Sequence, residues 1–293
     1  MIYNVVHGTI YEYASPVTVS HHAACVQPRV LPQQQVENFS LEIGPTPAVI
    51  RPRVDFFGNR VCGFSVQEIH QHLEITARSR VTVAATTRPA AGLSPNWKEV
   101  VKRVSDPVSP EVVEPYQFVF DSPLLGASPE LADYARQSFD AKTPLLVAVA
   151  DLNRRIFADF KFDPTATTVA TPLAEVLEKR RGVCQDFAHL AIASLRSLGL
   201  PARYVSGYLR TRPPAGKERL VGVDASHAWF RVFCPGTGWV DFDPTNNVEP
   251  GEEHVTVALG RDFGDVSPVA GILTGGGKHV VKVSVDVAPL DNE

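Results

Sequence analysis

The spacing of apolar residues changes twice along this chain, and those changes limit the folds that it can adopt. From Met1 to about Val83, short runs of β-branched and aromatic residues are broken by turn residues, a pattern typical of antiparallel strands. After about Pro110 the apolar residues recur at spacings of three and four, which indicates helices. Beyond Pro201 the spacing returns to two. The chain is therefore predicted to have an α+β fold, with helices packed on an antiparallel sheet and an antiparallel β region in front of them.

Helices are predicted at four places. The segments 129–139 and 144–160 carry apolar residues on one face, and in the second segment one stripe is formed by Leu145, Val149, Leu152, Ile156 and Phe160. A third helix is predicted from Thr171-Pro172 to Gly182, because proline suits a first turn and glycine a terminating position. The fourth begins at about Val183-Cys184 and ends at Gly199.

The strands and their connections follow from turn residues. A hairpin turn is predicted at Phe57-Gly58-Asn59-Arg60, and a second hairpin around Gly275, Gly276 and Gly277 in the tail. After the helices, ARYVSGYLR, HAWFRVF and GWVDFD are predicted strands joined by the loops TRPPAGKER and CPGTG. The stretch TTRPAAGLSP is interpreted as a connection between domains, and the predicted domains are 1–105, 106–260 and a hairpin extension at 261–293.

Composition argues against several kinds of partner. A formal net charge of −4 and a pI near 6.1 give no reason to expect a nucleic acid. The start of the chain lacks the features of a secretory signal and no segment reaches about 18 apolar residues, so we expect a cytoplasmic protein without a membrane partner.

The four cysteines include no CxxC pair, which indicates neither a disulfide framework nor a thiolate zinc site. No cofactor or metal is predicted.

Cys184 lies where a thiol can be activated. It follows Gly182 at the start of a predicted helix, where unpaired backbone N–H groups and the positive end of the helix dipole favour a negative sulfur. The thiolate is the reactive form of cysteine, and the backbone N–H of Cys184 can also donate to an oxyanion formed during its reaction. The alternative interpretation is a small buried apolar residue.

His227 is the candidate base. On a strand with a period of two, His227 shares a face with Trp229 and Arg231, whereas Ala228 and Phe230 face the other way. The imidazole is therefore expected to lie beside polar or amphipathic neighbours and not in the core. A hydrogen-bonded structural histidine is the alternative.

An imidazole that accepts a proton at one nitrogen needs a partner at the other, which fixes its tautomer. The loop 234–238 is short enough to make its two flanking strands antiparallel neighbours, and counting outward from it places Asp243 near His227. Asp241, two positions earlier on the same face, is the competing acid. Asp186 is interpreted as a partner for the first turn of its helix.

Three segments in this order resemble the transglutaminase-like superfamily: RGVCQDFAHL at 181–190, SHAWFRVF at 226–233 and GWVDFDPT at 238–245. The family pattern is a glycine shortly before a cysteine that opens a helix, then a histidine in an HAW-type strand, then an aspartate in a GW…DPT strand. The resemblance implies a papain-like, transglutaminase-like core with Cys184 as nucleophile, His227 as base and Asp243 as the acid that orients the histidine. The segments HGTIYEYASPV, QPRVLP and DFFGNRV also resemble the β domain of bacterial members, which implies a bacterial, cytoplasmic protein.

The resemblance implies an acyl-transfer enzyme that forms a cysteine thioester with a protein or peptide substrate. Cleavage of an amide or peptide bond is the favoured reaction, since no calcium loop or activation segment indicates regulated cross-linking. We expect Trp229, Gln185 and Tyr208 to contact the substrate, with Tyr204 as a further candidate for the cleft wall.

Three alternatives stay open. A protein-glutamine transglutaminase would pass the acyl group to an amine. A binding module without catalysis would have no need of all three residues. A metal site would use His70 and His72, with His21 and His22 as further candidate ligands, and exposed strand histidines are the simpler interpretation.

Overall fold

Strands and helices follow one another in the predicted order. The computed structural model describes residues 1–106, 108–211 and 225–290. The strands of the N-terminal part are β1 (Ile2–Ala24), β2 (Gln34–Gly44), β3 (Val49–Val54), β4 (Arg60–Val66) and β5 (His70–Val83). The helices are α1 (Trp97–Ser105), α2 (Pro110–Tyr116), α3 (Pro129–Arg136), α4 (Leu145–Asp159), α5 (Leu173–Lys179) and α6 (Cys184–Arg196). The later strands are β6 (Lys161–Phe162), β7 (Arg181–Gly182), β8 (Ala202–Leu209), β9 (Ala225–Cys234), β10 (Gly238–Phe242), β11 (His254–Gly260), β12 (Val269–Gly275) and β13 (His279–Leu290).

The long strand β1 organises the N-terminal sheet. Its first half pairs with β5 on one side and β13 on the other, and its second half pairs with β4 and β12, all antiparallel. The strands β3 and β4 form the predicted hairpin, with Gly58 at a φ of 78° in the turn. The expected α+β arrangement is confirmed, because this sheet precedes the helices in the chain and a second antiparallel sheet follows them.

The predicted tail hairpin is wrong. Within the described residues, β12 and β13 both pair with β1 and not with each other. Gly275, Gly276 and Gly277 have φ values of 96°, 77° and 61°, and they form a bulge where Ser15 and Pro16 bond the backbone of Gly276. Glycine takes such conformations readily, and here they shift the strand sideways without reversing it. Apolar residues alternate on both sides of the glycines in a hairpin and also in a bulged strand, so this pattern does not distinguish the two.

The second sheet has the strand order β10-β9-β8-β11, and α6 packs against β8 and β9. Every residue of α6 from Asp186 to Arg196 is buried, because the helix lies between this sheet and α3, α4 and α5. The predicted apolar stripe of α4 is buried as expected. The first turn of α6 is therefore held by a packed core. No described helix is both long and apolar enough to span a membrane.

The end of α5 differs from the prediction. The helix ends at Lys179, and Arg180 takes the left-handed conformation with a φ of 53°. Gly182 lies in β7, which pairs with β6, and a Cβ there would come within 2.6 Å of a carboxylate oxygen of Asp186. Glycine is needed at this position for a close approach and not for ending the helix.

The fold contains a helix and a strand that the sequence patterns did not predict. The helix α1 and the strand β11 were not predicted from the sequence. Because Val100, Val104 and Val112 belong to one core cluster, α1 and α2 pack together across the proposed boundary at 105, and the domain limits stay predictions. The predicted loop TRPPAGKER lies, apart from Thr211, outside the described residues.

Two side-chain amides join the N-terminal part to β11. The Gln34 amide donates to the carbonyl oxygen of Thr256 at 2.7 Å and accepts from its N–H at 2.8 Å. Asn59 makes the same pair of bonds with Leu259, at 2.8 and 2.9 Å. Both amides are buried. At the outer edge of β11 the two amides therefore make the hydrogen bonds that the backbone of a neighbouring strand would make. They satisfy backbone groups that would otherwise be buried without partners. We call these four bonds the amide clamp.

Candidate active site

Cys184 is the first residue of α6, as predicted. The carboxylate of Asp186 accepts from the backbone N–H of Val183 at 2.8 Å and from the hydroxyl of Thr167 at 2.6 Å. Asp186 therefore secures the first turn of the helix, which is the part it was expected to play. The side chain of Cys184 faces a cavity at the helix N-terminus, where the first backbone N–H groups have no partner within the helix.

His227 lies near the start of β9 and is 7% exposed. Its Nε2 lies 2.8 Å from Oδ2 of Asp243, and its ring lines the same cavity as Cys184. Burial alone lowers the pKa of His227, but the hydrogen bonds and negative charges of Asp243 and Cys184 raise it to about 10. The imidazolium form is therefore favoured at neutral pH, where it can stabilise a thiolate and later supply a proton.

Asp243 follows the last residue of β10 and is fully buried. Its Oδ2 accepts from the Asn246 amide at 2.7 Å and lies 3.2 Å from Nε2 of His254, in addition to its bond with His227. Its Oδ1 accepts from the backbone N–H groups of Thr245 and Asn246. Burial alone raises the pKa of this carboxyl, but the hydrogen bonds from His227 and His254 hold it well below its usual range. Asp243 is therefore ionised.

The competing acid has a different set of partners. Oδ1 of Asp241 accepts from the indole N–H of Trp229 at 2.7 Å and from Nε of Arg231 at 2.6 Å. It pairs across the ladder with Arg231, whereas Asp243 lies beyond the last paired residue, where the chain turns toward His227. The contacts thus favour Asp243 over Asp241 as the partner of the histidine.

Two of the residues expected to contact substrate do not face the cavity. Trp229 is 1% exposed and packs with Val205 and Leu259, and Tyr208 is 3% exposed with its hydroxyl 2.9 Å from Nδ1 of His7. The period of two assigned Trp229 correctly to the face of His227, but that face is covered by β11 and its neighbours. A strand pattern shows which residues share a face and not what covers it.

The third predicted contact, Gln185, does line the cavity of Cys184 and His227, and so does Tyr204. This cavity has a volume of about 320 Å³. A larger cavity of about 610 Å³ beside α5 includes His189 but none of the three residues Cys184, His227 and Asp243. We place the candidate site in the smaller cavity, because the reactive groups open into it.

The N-terminal sheet supplies the opposite wall of the cavity. This wall is formed by His7, Thr9 and Tyr11 of β1 and by Val281 and Val283 of β13. These contacts were not predicted, since no local pattern links β1 to residues about 200 positions later. His254 was also missed, although a histidine at the head of the alternating run HVTVALG could have signalled a strand with a polar residue at its entrance.

The possible metal ligands reduce to one group among the described residues. Ligand atoms of His227, Asp243 and His254 lie within 4.8 Å of one another. The same atoms are already hydrogen bonded to each other at 2.8 and 3.2 Å, which fits a carboxylate with imidazole donors. Among the described residues, the metal site considered at His70 and His72 is not formed: His70 bonds the Glu68 carbonyl and His72 pairs with Glu12.

The free energy of unfolding depends on pH through buried histidines, among which His7 and His189 are the most deeply buried. Burial lowers the pKa of both His7 and His189 from 6.5 to about 4. The folded protein therefore binds fewer protons than the unfolded chain below pH 6.5, so this stabilisation is complete above that pH and is lost as the pH falls toward 4. We expect the free energy of unfolding to fall by up to about 3 kcal/mol per histidine, as measured by urea unfolding at about pH 7 and about pH 4.5. The variant His7→Gln should flatten this dependence, and an unchanged midpoint in the wild type would contradict the prediction.

Comparison with known proteins covers most of the chain. Residues 3–82 match the model of the bacterial transglutaminase-like N-terminal region, and residues 132–244 match the model of the transglutaminase-like superfamily. The second match includes Cys184, His227 and Asp243. A crystal structure from Cytophaga hutchinsonii, provisionally assigned as a cysteine protease, has the same fold, with a TM-score of 0.78 and 22% identity over 100% of this chain and 92% of that one.

The similar sequences include proteins of known and unknown activity. An uncharacterised protein of Mycobacterium tuberculosis is 39% identical over 99% of this chain and 94% of its own length. Another from Mycobacterium leprae is 32% identical over 98% of both. A protein-glutamine gamma-glutamyltransferase of Pseudomonas aeruginosa is 34% identical over 41% of this chain and 18% of that protein. The chain belongs to the transglutaminase-like superfamily and carries the N-terminal region of its bacterial members.

Proposed function

We propose that this protein is a cysteine-dependent acyl-transfer enzyme that cleaves an amide or peptide bond, with Cys184 as nucleophile, His227 as base and Asp243 as orienting acid. The proposal rests on one observation above the others: His227 bonds the carboxylate of Asp243 and shares with Cys184 a cavity at the start of a helix. The chain's membership of the transglutaminase-like superfamily, whose enzymes act on proteins and peptides, supports the proposal.

The first half of the reaction forms a thioester. The sulfur of Cys184 attacks the substrate carbonyl carbon, and the resulting oxyanion accepts a hydrogen bond from the backbone N–H of Cys184. Protonated His227 gives its proton to the leaving nitrogen as the carbon–nitrogen bond breaks, so ammonia or an amine departs. The ionised Asp243 keeps the imidazole ring in the orientation that both steps need.

The second half releases the acyl group. Water attacks the thioester carbonyl while the neutral imidazole of His227 takes its proton, and the carbon–sulfur bond breaks to give a carboxylic acid and the Cys184 thiolate. Every proton lost or gained passes through the one imidazole. Gln185, the next residue on α6, lines the cavity and is proposed to contact the substrate.

A second candidate activity uses an amine as acceptor. The similarity to a protein-glutamine gamma-glutamyltransferase over 122 residues favours it. An amine in place of water would attack the same thioester, so the residues and the first half of the reaction are identical. The two activities differ in which nucleophile the cavity admits.

A screen of acyl donors, with and without a primary amine, tests the proposal. Peptide amides and glutamine-containing peptides are incubated with the protein, and released ammonia, new carboxylates and amine adducts are measured by mass spectrometry. We expect hydrolysis products whose yield is unaffected by the amine. Amine adducts as the main product would favour the transglutaminase. The absence of turnover together with a Cys184 that iodoacetamide alkylates no faster than Cys62 would overturn the enzyme proposal and favour a binding module.

A further inference from the structure

We infer that His254 is a positioning residue that fixes the carboxylate of Asp243 by a third hydrogen bond on Oδ2. The inference rests on the proposed function, because it assigns a task only if Asp243 orients His227. His254 is the first residue of β11, is 8% exposed, and has its Nε2 3.2 Å from Oδ2 of Asp243. No part of the mechanism above uses it.

The tautomer of His254 follows from its two nitrogens. An ionised carboxylate only accepts hydrogen bonds, so Nε2 must carry the proton. Within the described residues, the buried Nδ1 has no hydrogen-bond partner, which fits an unprotonated nitrogen. The N–H dipole of the buried His254 ring is therefore aimed at Asp243.

The three donors on Oδ2 come from different parts of the sheet. His227 lies on β9, Asn246 follows β10, and His254 enters from β11, which is separated from β9 by β8. The carboxylate is therefore held from two sides. The Trp229 indole and the His254 ring pack in a T-shaped contact, with the ring centres 5.3 Å apart and the planes at 82°, which restricts rotation of the imidazole.

The N-terminal part fixes the strand from which His254 extends. Thr256, two residues along β11, is held by Gln34 through both its N–H and its carbonyl oxygen. Because the amide clamp sets the place of β11, it also sets how closely His254 approaches Asp243. A change of about 1 Å in such a supporting contact can cost a large factor in rate.

Substitution at His254 tests whether its hydrogen bond to Asp243 or only the packing of its ring supports catalysis. In His254→Phe the ring is kept and the donor is lost, whereas in His254→Gln an amide N–H can reach the same oxygen. We expect His254→Phe to lower kcat by about 10- to 100-fold with little change in KM, since residues that orient an acting group have effects of that size. We expect His254→Gln to recover most of the lost kcat.

Alkylation of Cys184 by iodoacetamide at about pH 6 gives a second measurement that needs no substrate. At that pH an ordinary thiol is protonated, so the rate reports how well His227 supports the thiolate. A slow wild-type rate would overturn the proposed function itself. With a fast wild-type rate, an unchanged rate and kcat in His254→Phe would overturn the inference, as would a folded His254→Gln that is impaired as much as His254→Phe.

Discussion

Replacing Cys184 by alanine is expected to lower kcat on the best acyl donor by on the order of 10⁶-fold, because removal of the nucleophile from a catalytic triad costs about that much. Alanine leaves the helix N-terminus and its backbone N–H groups in place. The protein should keep its fold and its affinity for substrate. Single-turnover assays with quantified product, and binding measured separately, check both expectations.

The matched control is Cys62→Ala. Cys62 is a half-buried cysteine on β4 in the N-terminal sheet, and the cavity of Cys184 does not include it. This variant should retain the wild-type kcat. If Cys184→Ala turned over at a rate comparable with the wild type, or if Cys62→Ala lost activity while folded, the assignment of the nucleophile would be wrong.

Replacing Asp243 by asparagine is expected to lower kcat by about 10⁴-fold while the protein stays folded. The asparagine amide has nearly the same shape, but its NH₂ group can face His227 and favour the wrong tautomer of the imidazole. The uncharged amide also no longer supports the imidazolium. Since Asp243 raises the pKa of His227, the imidazolium that faces Cys184 should be less populated in the variant, and slower alkylation of Cys184 near pH 6 checks this.

Asp241→Asn is the control for this variant, because Asp241 lies on β10, two positions before Asp243. Its carboxylate bonds Trp229 and Arg231 and not His227. We expect a loss of about 1–3 kcal/mol in the free energy of unfolding, with kcat little changed. A large fall in kcat for Asp241→Asn with no fall for Asp243→Asn would reverse the choice between the two acids.

The arrangement of Cys184, His227 and Asp243 could be predicted because each signal is local. A glycine before a helix-opening cysteine, a histidine near the start of one strand and an aspartate after the next are read from a few neighbouring residues each. A short loop then fixes the two strands as neighbours, which brings His227 and Asp243 together. The apolar stripe of α4 was recognisable for the same reason.

What could not be predicted depends on pairing between distant segments. Trp229 and Tyr208 were expected at the cavity, but they are covered by elements far away in the chain, and His7 takes the place on the cavity wall instead. The hydrogen bond between His7 and Tyr208 spans 201 positions. Apolar alternation gives the faces of a strand but not the identity of its partner, so the wall formed by β1 and β13 has no signature in the sequence.

The tail shows the same limit. Three consecutive glycines favour either a hairpin turn or a bulge. The bulge forms because β1 is long enough to pair with both segments. The prediction of a hairpin failed because a 23-residue strand at the other end of the chain was available as a template.

The amide clamp has a consequence for the modularity of this protein. A fragment that began after β5 would retain Cys184, His227 and Asp243, yet Gln34 and Asn59 would be gone and β11 would become an unprotected edge, open to pairing with other chains. The same cut would remove one side of the reaction chamber. Shuffling of the catalytic half alone onto another scaffold would therefore require a replacement for those two amides, so the two halves are expected to be inherited as a unit.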